Sequence, residues 1–195
     1  MTSADRGPAS DSGPKWLVIA WRLPTGSSTP RVTVWRSLRR LGAGVLTPGA
    51  AILPFHDDLQ EQLDWLAQEI EELGGDAWVL PVLELSEIEE RKVHEQFRID
   101  RQEEYAALRA DAYEFLKRAP EHPGPDDDYA LRLRTEKELV ALQRRFRKIR
   151  ARDYFGAPGR QEAARTIDRC LAFRQGISLK LTLVTDDQGR RGGGR

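Results

Sequence analysis

Between Trp16 and Leu85 the spacing of apolar residues switches repeatedly between strand and helix patterns, and this alternation constrains the fold more than any other feature of the chain. The run WLVIAW, residues 16–21, is short and almost continuously apolar and ends at Pro24 and Gly26, as expected of a strand at a sheet centre. Thr29 and Pro30 suit an N-cap and a first helical residue; Val34, Leu38 and Leu41 make the inward stripe of that helix, and Gly42 closes it. Residues 43–47 and 50–54 read as two strands joined at Pro48-Gly49. Asp57 or Asp58 caps a second helix with the seam Leu59, Leu63, Leu66, Ile70 and Leu73, stopped by Gly74-Gly75. A last strand covers 77–85. The order strand, helix, strand, strand, helix, strand predicts an α+β fold, a ferredoxin-like βαββαβ domain over residues 15–85 with two helices on one face of an antiparallel sheet.

From Ser86 the character changes. Ser86-x-x-Glu89 is a capping box, and a long charged helix carrying Val93, Phe97, Tyr105, Leu108, Ala112 and Phe115 follows to about Arg118. Three prolines and a run of aspartates make 119–128 a loop, and two more helices are expected over 135–152 and 161–175, parted by YFGAPG. The domain is thus followed by an antiparallel helical extension, residues 86–175. The polar lead 1–14 is expected to be disordered, and 176–195 to be a flexible tail in which a strand-like ISLKLTLV precedes a glycine-rich polar end.

Charge is distributed in blocks. The formal net charge is zero, yet residues 1–54 hold 7 basic and 2 acidic side chains, 55–128 hold 7 and 22, and 129–195 hold 17 and 7. That asymmetry allows internal pairing of an acidic middle with a basic end, and it equally allows a positive and a negative face. The apolar runs are too short to span a membrane, no secretory signal opens the chain, and the lone Cys170 excludes an internal disulfide and a cysteine-built zinc site. The expected compartment is the cytoplasm.

Material for catalysis is thin. His56, His94 and His122 stand at spacings that build neither a triad nor a metal site, and Cys170 beside Arg169 is better explained as a small packed side chain than as a nucleophile. Asp126, Asp127 and Asp128 lack the spaced carbonyl and glutamate ligands of a calcium loop, and no phosphate-binding glycine loop follows a strand. No catalytic residue, metal or cofactor is expected.

Cationic clusters carry the functional reading. In LVALQRRFRKIRARDYFG, residues 139–156, Leu139, Leu142, Phe146 and Ile149 share one side of a helix while arginines and a lysine cover the rest. Arg144, Arg147 and Lys148 lie opposite that seam; Arg145, Arg150 and Arg152 flank it and are expected to pair with the acidic long helix. Arg36, Arg39 and Arg40 form a second cluster on the first helix, facing away from its stripe. These six outward cations, Arg36, Arg39, Arg40, Arg144, Arg147 and Lys148, are the candidate nucleic-acid contacts, suited to phosphates rather than to reading bases. Trp21 and Trp35 offer stacking surfaces, with a core role expected to win for both.

Four segments in order, WLVIAWRLP, PRVTVWRSLRRLGAGVLTPGAAILP, ELGGDAWVL and IRARDYFGAP, make the chain resemble the N-terminal domain family of the chromate resistance protein ChrB over roughly residues 15–175. The resemblance implies a bacterial regulatory protein that responds to chromate, whose arginine-rich N-terminal part meets DNA and whose further C-terminal domain is associated with sensing. This chain is therefore not expected to sense chromate by itself. Its first half also resembles the ferredoxin-like domains of phenylacetate-type repressors and of small CRISPR adaptation nucleases. Where those nucleases end the first strand with a metal-serving aspartate, this chain has Arg22, which cannot ligate a cation. The function expected is that of a DNA-binding regulator of the ChrB type. A partner protein without DNA, its acidic middle and basic end pairing across a homodimer, is the alternative, and an oxyanion or nucleic-acid enzyme is the remote one.

Overall fold

The computed structural model describes residues 13–25, 28–118 and 128–173. The lead before residue 13, the loop with His122, Asp126 and Asp127, and the tail from 174 lie outside the described residues. Elements follow in the order β1 (Trp16–Arg22), α1 (Thr29–Leu41), β2 (Gly44–Thr47), β3 (Ala50–Pro54), α2 (Asp57–Glu72), β4 (Asp76–Val82), α3 (Glu87–Arg118), α4 (Asp128–Ala151) and a further helix, α5, over 160–173. The chain divides into two compact units, Met1–Phe97 and Arg98–Arg195, with the division inside α3.

The first unit is α+β, built on a four-stranded antiparallel sheet in the order β2-β3-β1-β4. Strand β1 lies at the centre because WLVIAW is apolar on both sides, and its two neighbours both pair with it. Leu17 and Ile19 align with Leu53 and Ala51, and all four are buried, as are Val34, Leu38 and Leu41 of α1 and Leu59, Leu63, Leu66 and Ile70 of α2. The alternate residues Val18 and Ile52 align with Gly44 on the other face. There the first turns of α3 bring Val93 and Phe97 to cover: a Cβ at Gly44 would stand 3.1 Å from the Phe97 ring.

Helix ends differ from expectation by a residue. Ser28, not Thr29, is the N-cap of α1, with Pro30 within its first two positions; Gly42 closes the helix at φ 76°, where a side chain would be strained. His56 caps α2, placing both Asp57 and Asp58 in the first turn, where their charge suits the helix dipole. Leu73 is the C-cap and lies at the surface. The capping box holds: Ser86 Oγ accepts the Glu89 N–H at 3.3 Å and donates to the Glu89 carboxylate at 2.7 Å.

The second unit is helical. Tyr105, Leu108, Ala112 and Phe115 of α3, Leu139, Leu142 and Ile149 of α4, and Ala163, Ile167 and Cys170 of α5 form one buried cluster. Helix α4 begins at Asp128 rather than at 135, absorbing the last aspartate of the expected loop as its first residue. No helix among the described residues is long and apolar enough to cross a membrane.

Candidate nucleic-acid interface

The basic segment folds as the C-terminal half of α4, and the helical period splits its cations into two sets. Arg145 pairs with Asp111, and Arg152 with Glu104 at 2.9 Å, both carboxylates standing on α3. Arg118 and Glu138 add another α3–α4 pair at 3.6 Å. Arg144, Arg147, Lys148 and Arg150 are exposed, and among the described residues none has an acidic partner. Arg150 therefore departs from the pairing expected of it, because its direction on the helix carries it away from the acids of α3. Residues 139–152 contain no acid at all, so the outward surface of these turns is uniformly positive.

The chain turns sharply after α4, and this turn fixes the cationic end. Asp153, almost wholly buried, accepts the Ala157 N–H at 2.8 Å through Oδ1 and the Tyr105 hydroxyl at 3.1 Å through Oδ2; Arg160 approaches at 3.7 Å. Burial, then the charge of Asp153 and the hydrogen bond to it, hold the Tyr105 phenol far above the usual tyrosine range, so it remains a neutral donor. Gly156 and Gly159 take positive φ here. Glu104 receives Arg101 at 3.5 Å as well as Arg152, so one carboxylate answers two guanidiniums. This buried polar node escaped the sequence reading. Its visible trace is RARD followed by two glycines within seven residues, a density of charge and turn formers where a helix has to stop.

The other candidates occupy the first unit. Arg36, Arg39 and Arg40 are exposed on α1, and the Arg39 guanidinium stacks over the Trp35 ring at 5.0 Å. Trp35, expected in the core, is 51% exposed: it lies about 100° round the helix from the Val34 side that meets the sheet. Trp21 is half-buried, its backbone N–H donating to the Gly49 carbonyl at 2.8 Å. Arg22 binds Asp76 across β1 and β4 at 2.7 Å. His94 lies against the Trp16 ring, and Cys170 is fully buried with its thiol pushed up by burial, the opposite of an activated nucleophile. Among the described residues no group of histidines, cysteines and carboxylates is arranged to hold a metal ion. The α1 and α4 cations thus belong to different units.

The family model described as "Protein ChrB, N-terminal" matches residues 31–181, from the start of α1 to beyond α5. The chain belongs to the ChrB N-terminal family. Protein ChrB of Cupriavidus metallidurans CH34 is 36% identical over 91 residues, 47% of this chain. The match spans 28% of that relative's length. No solved structure matches the chain. The family-model match takes in the α1 and α4 cations and the Asp153 turn.

Proposed function

We propose that this chain is a DNA-binding regulatory protein of the ChrB type, acting in the cytoplasm through the positive surface of α4. Membership of the ChrB family links it to chromate resistance. The reading is carried by the partition of charge on α4: Arg145 and Arg152 are neutralised inside the chain, whereas Arg144, Arg147 and Lys148 are held outward and have no acidic partner among the described residues. Like charges at this spacing repel, and a phosphate backbone relieves that repulsion by exchanging its condensed counterions for fixed cations. Phosphate contacts of this kind position a protein on a duplex without reading its sequence.

Arg36, Arg39 and Arg40 on α1 are the second and weaker candidates for phosphate, because α2 sets a row of carboxylates on the same face of the sheet. We read the first unit as ferredoxin-like, on the strength of its βαββαβ order and of β2 and β4 as the sheet edges. No catalytic residue and no cofactor enter the proposal, and sensing of chromate is assigned to no residue of the chain. Duplex DNA labelled with fluorescein, titrated at rising salt and read by anisotropy, tests the reading. The logarithm of affinity falls linearly with the logarithm of salt, with a slope of about −0.9 per phosphate contacted. Affinity that ignores salt, or no binding at low salt, contradicts it.

A further inference from the structure

Helices α1 and α2 carry charge in opposite and unmixed sets. Helix α1 holds Arg31, Arg36, Arg39 and Arg40 and no acid; α2 holds Asp57, Asp58, Glu61, Asp64, Glu69, Glu71 and Glu72 and no base. They cover the same face of the sheet, yet among the described residues no ion pair joins an arginine of α1 to a carboxylate of α2. Each also exposes a tryptophan: Trp35 on α1 is 51% exposed and Trp65 on α2 is 62% exposed. Val32, one turn before Trp35 and Arg36, is exposed beside them. The outward line of α2 runs through Glu61 and Trp65, since Leu59, Leu63, Leu66 and Ile70 point inward.

A surface with a positive strip beside a negative one is complementary to itself under a two-fold rotation, which lays each strip on its opposite. The same surface suits DNA poorly, because a backbone following α1 would pass the carboxylates of α2. Large exposed indoles ringed by charge are the composition of an interface centre. We propose that the outer face of α1 and α2 is a docking surface for a second copy of this chain, α1 of each copy lying on α2 of the other. Trp35 and Trp65 supply the apolar centre, and Arg36 and Arg40 oppose Glu61 and Asp64. The proposal is independent of DNA binding by α4, and it assigns the α1 arginines to the partner copy rather than to phosphate.

Sedimentation equilibrium of the whole chain, with paired charge reversals, decides it. Wild type is expected to dimerise, with an affinity that weakens as salt rises. The Arg36→Glu/Arg40→Glu variant sets acid against acid in both contacts, and Glu61→Lys/Asp64→Lys sets base against base; each is expected to raise the dimer dissociation constant about tenfold or more. All four positions are exposed, and circular dichroism checks that the fold is kept. An equimolar mixture of the two variants then regains the dimer mass, since opposite charges again face each other in both contacts. A wild type that stays monomeric at low salt, variants that dimerise as well as wild type, or a mixture that gains nothing overturns the proposal. So does loss of DNA affinity in Arg36→Glu/Arg40→Glu with the mass unchanged, which would return α1 to the nucleic-acid surface.

Discussion

Asp153 ties the turn after α4 to α3 through Tyr105. Its two oxygens satisfy the Ala157 N–H and the Tyr105 hydroxyl in a site that water does not reach. Asp153→Ala leaves both donors buried without an acceptor, and we expect it to cost about 2–5 kcal/mol in urea unfolding. Tyr105→Phe removes one bond and should cost about 1–2 kcal/mol. The phenol also makes stability depend on alkali. Because its folded pKa is raised, its contribution is complete below the unfolded value of about 10 and is lost as pH rises above that. Tyr105→Phe should therefore lose less stability than wild type between neutral pH and the alkaline range, and a loss as steep as wild type's would place the titration elsewhere. None of this was visible in the residues taken singly. Asp153 and Tyr105 are 48 positions apart, and only tertiary structure makes one the acceptor of the other.

Elements were more legible than contacts, for reasons that the helices make plain. The stripe Val34, Leu38, Leu41 and the seam Leu59 to Ile70 are buried as their periods require, because a helix with one apolar side has one way to face a sheet. The same periodicity separated the outward Arg144, Arg147 and Lys148 from Arg145 and Arg152, and it failed for Arg150, whose partner had to come from the geometry of α3. It failed too at Trp35, where a large apolar residue was given to the core although its angle on α1 points past the sheet. The start of α4 at Asp128 was hidden because acids that suit a loop suit equally the first turn of a helix. Two predictions belong here. Arg152→Gln removes a pair to Glu104 with both side chains mostly covered, and its thermal midpoint should fall by several degrees, about 1–3 kcal/mol; Arg145→Gln, in a more open pair with Asp111, should cost about 1 kcal/mol or less. Ser86→Ala opens the capping box at the head of α3. The Ser86 hydroxyl and N–H hold the Glu89 carboxyl below its ordinary range, so the box stabilises above the unfolded carboxylate pKa and fades as pH falls through the folded one. Wild type but not Ser86→Ala should show this acid loss in thermal melts.

At the scale of the whole molecule, zero net charge conceals surfaces of opposite sign. The acids of α3 neutralise one flank of α4 and leave the other positive; the acids of α2 face outward beside the arginines of α1. The proposed DNA surface on α4 and the proposed surface for a second copy on α1 and α2 belong to different units, so the two proposed activities should be separable by mutation. The measurement that bears most directly on DNA binding combines anisotropy and melting on one variant, Arg144→Gln/Arg147→Gln/Lys148→Gln. These cations have no acidic partner among the described residues, so their removal should leave the thermal midpoint within about 2 °C of wild type. It should also weaken duplex binding and reduce the magnitude of the salt slope by about 2–3. A variant that melts well below wild type yet binds DNA with unchanged affinity and slope would show that the basic helix is scaffold, and would contradict the account.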